Sequence, residues 1–391
     1  MRVLIQNIGQ LVTGDIRQPL LDADSILIQD GRILEVGSGV DGQADTLIDA
    51  RGTTVMPGLI DSHIHPAFGD FTPKQFALNF IDSMMHGGVT TAISAGEVHL
   101  PGRPRDIVGL KALAILAAKA YDNFRPSGVK VHAGAPILEI GMTESDFAEM
   151  AAGGVRLVGE IGLGSVNTGK DAAPMVEWAR RHGMTVTIHT GGPSPAGNHH
   201  IDADVVLEAH PDVIGHINGG TTAMSPGEIE RLVATEMAVE IVHNGNIKMA
   251  LHTLRSAGEA HALQRVILGT DAPSGSGVVP LGILRMLTLL AGVGGTPPAE
   301  AVACATGNTA RVYKLNSGLI RPGRDADLVI CDAPIGSTAS DTLGALTAGD
   351  VPGISLVLID GAMTLGRSRN TAPAARGAVV LKGQAPVAVG H

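Results

Sequence analysis

The run Asp61-Ser62-His63-Ile64-His65 ends an apolar stretch opened by Pro57-Gly58. Two histidines separated by one residue share a face if the stretch is a strand, so both imidazoles can point to one side. With 15 histidines in the chain, a His-x-His pair alone is weak, and its position carries more weight. Further along, Val158-Gly159-Glu160-Ile161-Gly162 places a carboxylate among glycines and aliphatics, a costly burial unless a cation or donors meet it. His189 follows Val186-Thr187-Ile188, His216 follows Val213-Ile214-Gly215, and Asp271 closes Ile267-Leu268-Gly269-Thr270. Each of these three alone reads as a core histidine or a helix cap. Together, four histidines and two carboxylates form a mixed nitrogen and oxygen donor set suited to Zn²⁺, Fe²⁺ or Mn²⁺. Six such groups are too many for one catalytic zinc with an open position. Two divalent ions sharing one carboxylate would use them all.

Such a set needs a scaffold that brings distant segments to one place. From Val55 onward, short apolar strands alternate with loops and amphipathic helical patterns. The expected strands are 55–65, 90–96, 129–136, 155–162, 185–190, 213–218, 238–244 and 266–271. Eight βα units are the number that closes a (β/α)8 TIM barrel, whose active sites lie at the C-terminal ends of the strands. Five of the eight strands end on one of the candidate donors. Helices are expected over Thr72–His86, with Phe76, Phe80, Ile81 and Met84 at helical spacing, and over Asp106–Asp122. Thr143-Glu144-Ser145-Asp146 and Ser225-Pro226-Gly227-Glu228 read as capped helix starts.

The chain ends read differently. Ser25–Gln29 and Arg32–Val36 flank an Asp30-Gly31 turn, a hairpin pattern. Strand signals return at 326–332, 355–359 and 363–366. Residues 1–54 and 314–391 are therefore expected to build one small β-sandwich beside a catalytic barrel at 55–313, with an Ala- and Gly-rich last stretch as a loose tail.

At this point the pattern resembles the amidohydrolase superfamily: His-x-His on the first strand, Lys or Glu on the fourth, His on the fifth and sixth, Asp on the eighth. The run Gly318 to Leu328 is similar to that family's return into its flanking β-domain, and the resemblance covers nearly the whole chain. It implies that His63, His65 and Asp271 hold one metal and His189 and His216 the other. Glu160 and a hydroxide would bridge them, and Asp271 would carry the proton. It also implies zinc with iron or a second zinc, manganese being possible, and a homotetramer. The runs Ile93–Gly96, Pro101–Pro104, Ala173–Ala179, His216–Gly220 and Asp271–Gly275 are similar to a branch that opens a cyclic enamide. In nicotinate fermentation that reaction converts 6-oxo-1,4,5,6-tetrahydronicotinate to 2-formylglutarate and ammonia. For the substrate, Arg103 suits a carboxylate, and His132 and Asn218 fall at strand ends.

Rival readings are another cyclic amidase acting on a lactam, an imide or a dihydroorotate-like ring, a mononuclear deaminase, and a non-catalytic scaffold. The deaminase pattern places Glu three residues after the fifth-strand histidine, where this chain has Gly192. A scaffold would have lost donors, and all six are present. A net charge of −10 with no basic block argues against nucleic acid. No apolar run of about 18 residues suggests a membrane span. The two cysteines, Cys304 and Cys331, give no disulfide framework, so a cytoplasmic setting is expected.

Overall fold

The structure, a computed structural model, describes residues 1–67, 69–193, 199–219, 223–273 and 277–383. Eight parallel strands occupy the middle of the chain in two arcs. One arc holds Leu59–Ile64, Val89–Ser94 and Lys130–His132, and the other holds Leu157–Ile161, Thr185–Ile188, Val213–Ile214, Ala238–Val242 and Val266–Gly269. Their edges meet on both sides. Asp271 N–H donates to His63 O (2.9 Å) and His65 N–H to Ala272 O (2.8 Å), while Gly159 N–H donates to Pro136 O (3.0 Å). All the C-terminal strand ends consequently face the same way.

Helices follow the strands, and their starts are chemically marked. The Asp106, Thr168, Asp202 and Asn246 side chains each accept from a backbone N–H of the first turn. Reciprocal capping boxes open the helices at Thr143 and Ser225, as their sequence predicts. The helix expected over Thr72–His86 is cut to Phe80–Met85. Phe76 and Asn79 take left-handed backbone angles, φ 48° and 57°, which no continuous helix tolerates. The Asp70 carboxylate then starts the helix late by accepting from Ile81 N–H and Asp82 N–H.

The chain ends interleave. Thr46–Asp49 pairs with Arg2–Gln6 on one side and with Val379–Lys382 on the other. Leu328–Asp332 likewise pairs with Thr54–Pro57 and Gly353–Ile359. The two sheets share an apolar layer that includes Ile5, Ile26, Ile28, Ile48, Val55, Leu328, Ile330 and Leu358. Part of the expected loose tail is thus an ordered edge strand, and 384–391 lie outside the described residues. Lys130, at the start of the third parallel strand, ties the two regions together. Its ammonium reaches Asp325, the fully buried Asp327 and Asp360 at 3.1, 2.9 and 2.6 Å.

The stretch expected as one strand, 55–65, is two. Thr54–Pro57 belongs to the mixed six-stranded sheet and Leu59–Ile64 to the parallel arc. Gly58 is the joint. Its N–H donates to Asp327 O (2.8 Å), and a Cβ there would lie 2.1 Å from Thr90 Oγ1 and 2.8 Å from Thr90 Cβ. Thr90 is buried in a strand and cannot move aside. Gly58→Ala is therefore expected to lower stability by about 1–3 kcal/mol, the usual range for overpacking. An unchanged urea midpoint with an unchanged m-value would contradict this.

Candidate metal centre

The six candidate donors converge at the C-terminal ends of the parallel strands. Glu160 is the hub: Oε1 lies 2.5 Å from His216 Nε2 and 3.4 Å from His189 Nδ1, while Oε2 lies 3.6 and 3.5 Å from the Nε2 atoms of His63 and His65. Asp271 Oδ1 is 3.2 Å from His65 Nε2 and 3.8 Å from His63 Nε2. Two residues that aim side chains into this centre, His216 and Asp271, have left-handed backbones, φ 27° and 58°. Such conformations cluster at functional sites because the surrounding structure must hold them.

Hydrogen bonds fix which imidazole nitrogen faces the centre. His63 Nδ1 lies 2.6 Å from Glu240 Oε2, His65 Nδ1 lies 2.9 Å from Gly96 O, and His189 Nε2 lies 3.1 Å from Gly192 O. Since carboxylates and carbonyls only accept, each of these nitrogens carries the proton. The opposite nitrogens, His63 Nε2, His65 Nε2 and His189 Nδ1, face the Glu160 and Asp271 carboxylates, and a cation seated between them would take up their lone pairs. His63 Nε2 is buried with no hydrogen-bond partner among the described residues.

Two groups of donor atoms lie close enough to hold a cation: His63, His65 and Asp271, and His63, Glu160 and His216. Four ligands arranged tetrahedrally at zinc distances are about 3.4 Å apart. The contacts of His63 and His65 with Asp271 and Glu160, 3.2–3.8 Å, have that spacing. His189, His216 and Glu160 are drawn closer, 2.5–3.4 Å, at hydrogen-bond distances.

The electrostatics suit a cation as well. Burial pushes the Glu160 carboxyl upward, but His216 and His63 outweigh it and hold the group well below the usual carboxylate range. Burial opposes charge on His63, yet Glu240 and Glu160 hold its imidazole well above its ordinary value. Asp271 is lowered too, the cost of burial being overcome by His65, His63 and His216. Ionised carboxylates at a buried point, ringed by imidazoles of which three are already engaged at their outer nitrogens, are the chemistry of a metal centre. The residues present fit divalent metal.

The three residues considered for substrate contact have other engagements. Asn218 spends its amide on the neighbouring strand: Nδ2 donates to Val242 O (2.9 Å) and Oδ1 accepts from Val242 N–H (2.8 Å). Arg103 donates to Leu163 O (3.4 Å) and faces Glu139 at 3.9 Å. It lines a narrow cavity with Glu97 and Pro104. His132 opens onto a cavity of about 280 Å³ lined by Asp122, Arg156, Tyr313 and Lys314, which none of the six donors touches. Of the loop 193–200, residues 194–198 lie outside the described residues, as do Gly220 and 274–276 of the motifs above.

Three residues around the centre have no role assigned by the sequence. Glu240 supports His63 from the seventh strand, and Asp61 binds Thr270 N–H (2.9 Å) and Thr270 Oγ1 (2.6 Å) across the closing edge. His99 packs edge-on to His65 with ring centroids 5.1 Å apart. Burial foremost pulls its imidazole down to about 3. A charged residue inside an apolar strand was the available signal for Glu240; His99, in a loop, gave none.

The amidohydrolase family model matches residues 54–364. The chain is 53% identical over 384 residues to an enamidase of Eubacterium barkeri, covering 97% of this chain and 100% of that protein. A crystal structure of an enamidase superposes with a TM-score of 0.95 at 52% identity, covering 97% of this chain and 100% of that one. An adenine deaminase of Deinococcus radiodurans is 29% identical over 335 residues, 82% of this chain and 58% of that protein.

Proposed function

Because this chain belongs to the amidohydrolase family, a family of metal-dependent hydrolases, we propose that it is an enamidase. It opens 6-oxo-1,4,5,6-tetrahydronicotinate, or a close cyclic enamide, to an aldehyde acid and ammonia. The observation that carries this is the six-residue centre set in a chain that matches an enamidase along its whole length. The eight parallel strands, from Leu59 onward, are read as a closed (β/α)8 barrel ending near 313. The five- and six-stranded sheets are read as a β-sandwich made by both chain ends, the boundary expected at 54/55 moving past Pro57 because Thr54–Pro57 pairs in the six-stranded sheet. A homotetramer in the cytoplasm completes the proposal; among the described residues no helix is long and apolar enough to cross a membrane.

The centre would hold two divalent ions, zinc with iron or a second zinc, manganese being an alternative. His63, His65 and Asp271 would take one, His189 and His216 the other, with Glu160 shared between them. Bound metal supplies polarisation of the ring carbonyl and a water acidified toward neutrality. The protein's own groups do the rest. Glu240, Gly96 O and Gly192 O hold three imidazoles in the required tautomer. Asp271 is the most open of the six, its side chain 15% exposed against 6% or less for the others. Its carboxylate therefore meets the substrate and carries a proton from the attacking water to the departing nitrogen. The released enamine tautomerises to an imine, which water converts to aldehyde and ammonia.

The test is to incubate the purified protein with 6-oxo-1,4,5,6-tetrahydronicotinate and follow loss of its conjugated absorbance together with ammonia. Both signals are expected, and both should vanish after chelation and return with added metal. Silence from metal-loaded protein would reject this substrate and direct the assay to lactams and imides.

A further inference from the structure

Glu240 lies in the middle of the seventh parallel strand, Ala238–Val242, with its side chain fully buried. A carboxylate there is costly unless every lone pair is used. It accepts from Ser62 Oγ (2.5 Å) on Oε1, and on Oε2 from His63 Nδ1 (2.6 Å) and the His216 backbone N–H (3.1 Å). The first, sixth and seventh strands are thus joined behind the centre by one side chain. It makes no contact with Glu160 or Asp271 among the described hydrogen bonds.

The other two oriented imidazoles lean on neutral carbonyls, Gly96 O for His65 and Gly192 O for His189. His63 alone leans on an anion, and His63 alone belongs to both groups of potential donor atoms. A carboxylate accepting from the far nitrogen of a liganding histidine makes the near nitrogen a stronger donor and fixes its direction. Resting on the metal reading above, we infer that Glu240 is a positioning residue that sets metal affinity at both halves of the centre. It acts through the tautomer and donor strength of His63, and through the backbone that carries His216.

Glu240→Gln tests this, because it keeps the shape and removes the charge. The readout is binding of Zn²⁺ and Co²⁺ by competition with a chromophoric chelator, with the Co²⁺ visible spectrum and the melting of metal-free protein measured alongside. Affinity about 10–100-fold below wild type is expected, with a changed Co²⁺ spectrum and a metal-free melting transition that is lowered but still cooperative. Unchanged affinity and spectrum would overturn the inference, as would an affinity loss matched by collapse of the metal-free melting transition. A second measurement uses the wild type alone. Imidazole NMR of the zinc-loaded protein should find the His63 proton on Nδ1, and a proton on Nε2 would overturn the assignment. A wild-type chain that binds neither ion overturns the metal reading itself, whereas binding that E240Q leaves intact removes only the role of Glu240.

Discussion

Asp271→Asn is expected to cut kcat by about 10²–10⁴-fold, the usual worth of a positioned general acid–base group, while the protein keeps part of its metal. The substitution is unusually clean at this position. Asp271 has a left-handed backbone, φ 58°, and Asn tolerates that conformation as readily as Asp. Its N–H bond to His63 O, which closes the strand edge, does not involve the side chain. What is lost is a carboxylate that takes up and releases a proton, and the charge that faces His65 at 3.2 Å. Both imidazoles of the first donor group remain, each still oriented from behind by Glu240 or Gly96 O. KM should therefore move less than kcat. Turnover within a few-fold of wild type, measured at full metal loading, would remove Asp271 from the proton path.

The centre was legible because each donor stands at the end of a short apolar run, and such runs recur often enough to define a common edge. Composition told nothing of this; the spacing of His63, Glu160, His189, His216 and Asp271 did. Strand-end position alone does not show what a polar side chain meets. Asn218 ends a strand as a substrate contact would, but its amide is satisfied by the backbone of Val242. A sequence cannot separate a polar group turned toward the site from one stitched into the next strand. His132 also ends a strand, yet it lies on a cavity apart from the donors. The helix over Thr72–His86 failed because apolar spacing ignores backbone sign, and Phe76 and Asn79 reverse it. Glu240 went unread although the argument applied to Glu160, a lone carboxylate in an aliphatic strand, applies to it equally. Glu160 meets two criteria, a strand end and a costly burial, whereas an acid placed behind a ligand meets only the second.

Glu160→Gln should strike metal binding rather than proton transfer, and this contrast separates the two carboxylates. Glu160 touches all four imidazoles, at 2.5–3.6 Å, and is itself buried to 2% exposure. Among the described residues its carboxylate alone lies within 4 Å of all four imidazoles. Gln would fit the same space but carries no charge and offers one oxygen where Glu160 offers two, so the imidazoles on both sides lose their shared anion. Breaking a buried, hydrogen-bonded charge pair costs about 3–5 kcal/mol. Charged to cation affinity, that corresponds to roughly two to four powers of ten. Metal content after dialysis is expected to fall from about two ions per chain to less than one, with turnover lost in proportion and only partly restored by excess metal. The Asp271 variant should show the reverse, slow turnover at retained metal. If Glu160→Gln protein holds both ions through dialysis and turns over normally, the carboxylate is a bystander and the shared-ligand arrangement is wrong. If the two variants cannot be told apart by metal content, Asp271 acts as a ligand first, and the proton must travel by another group.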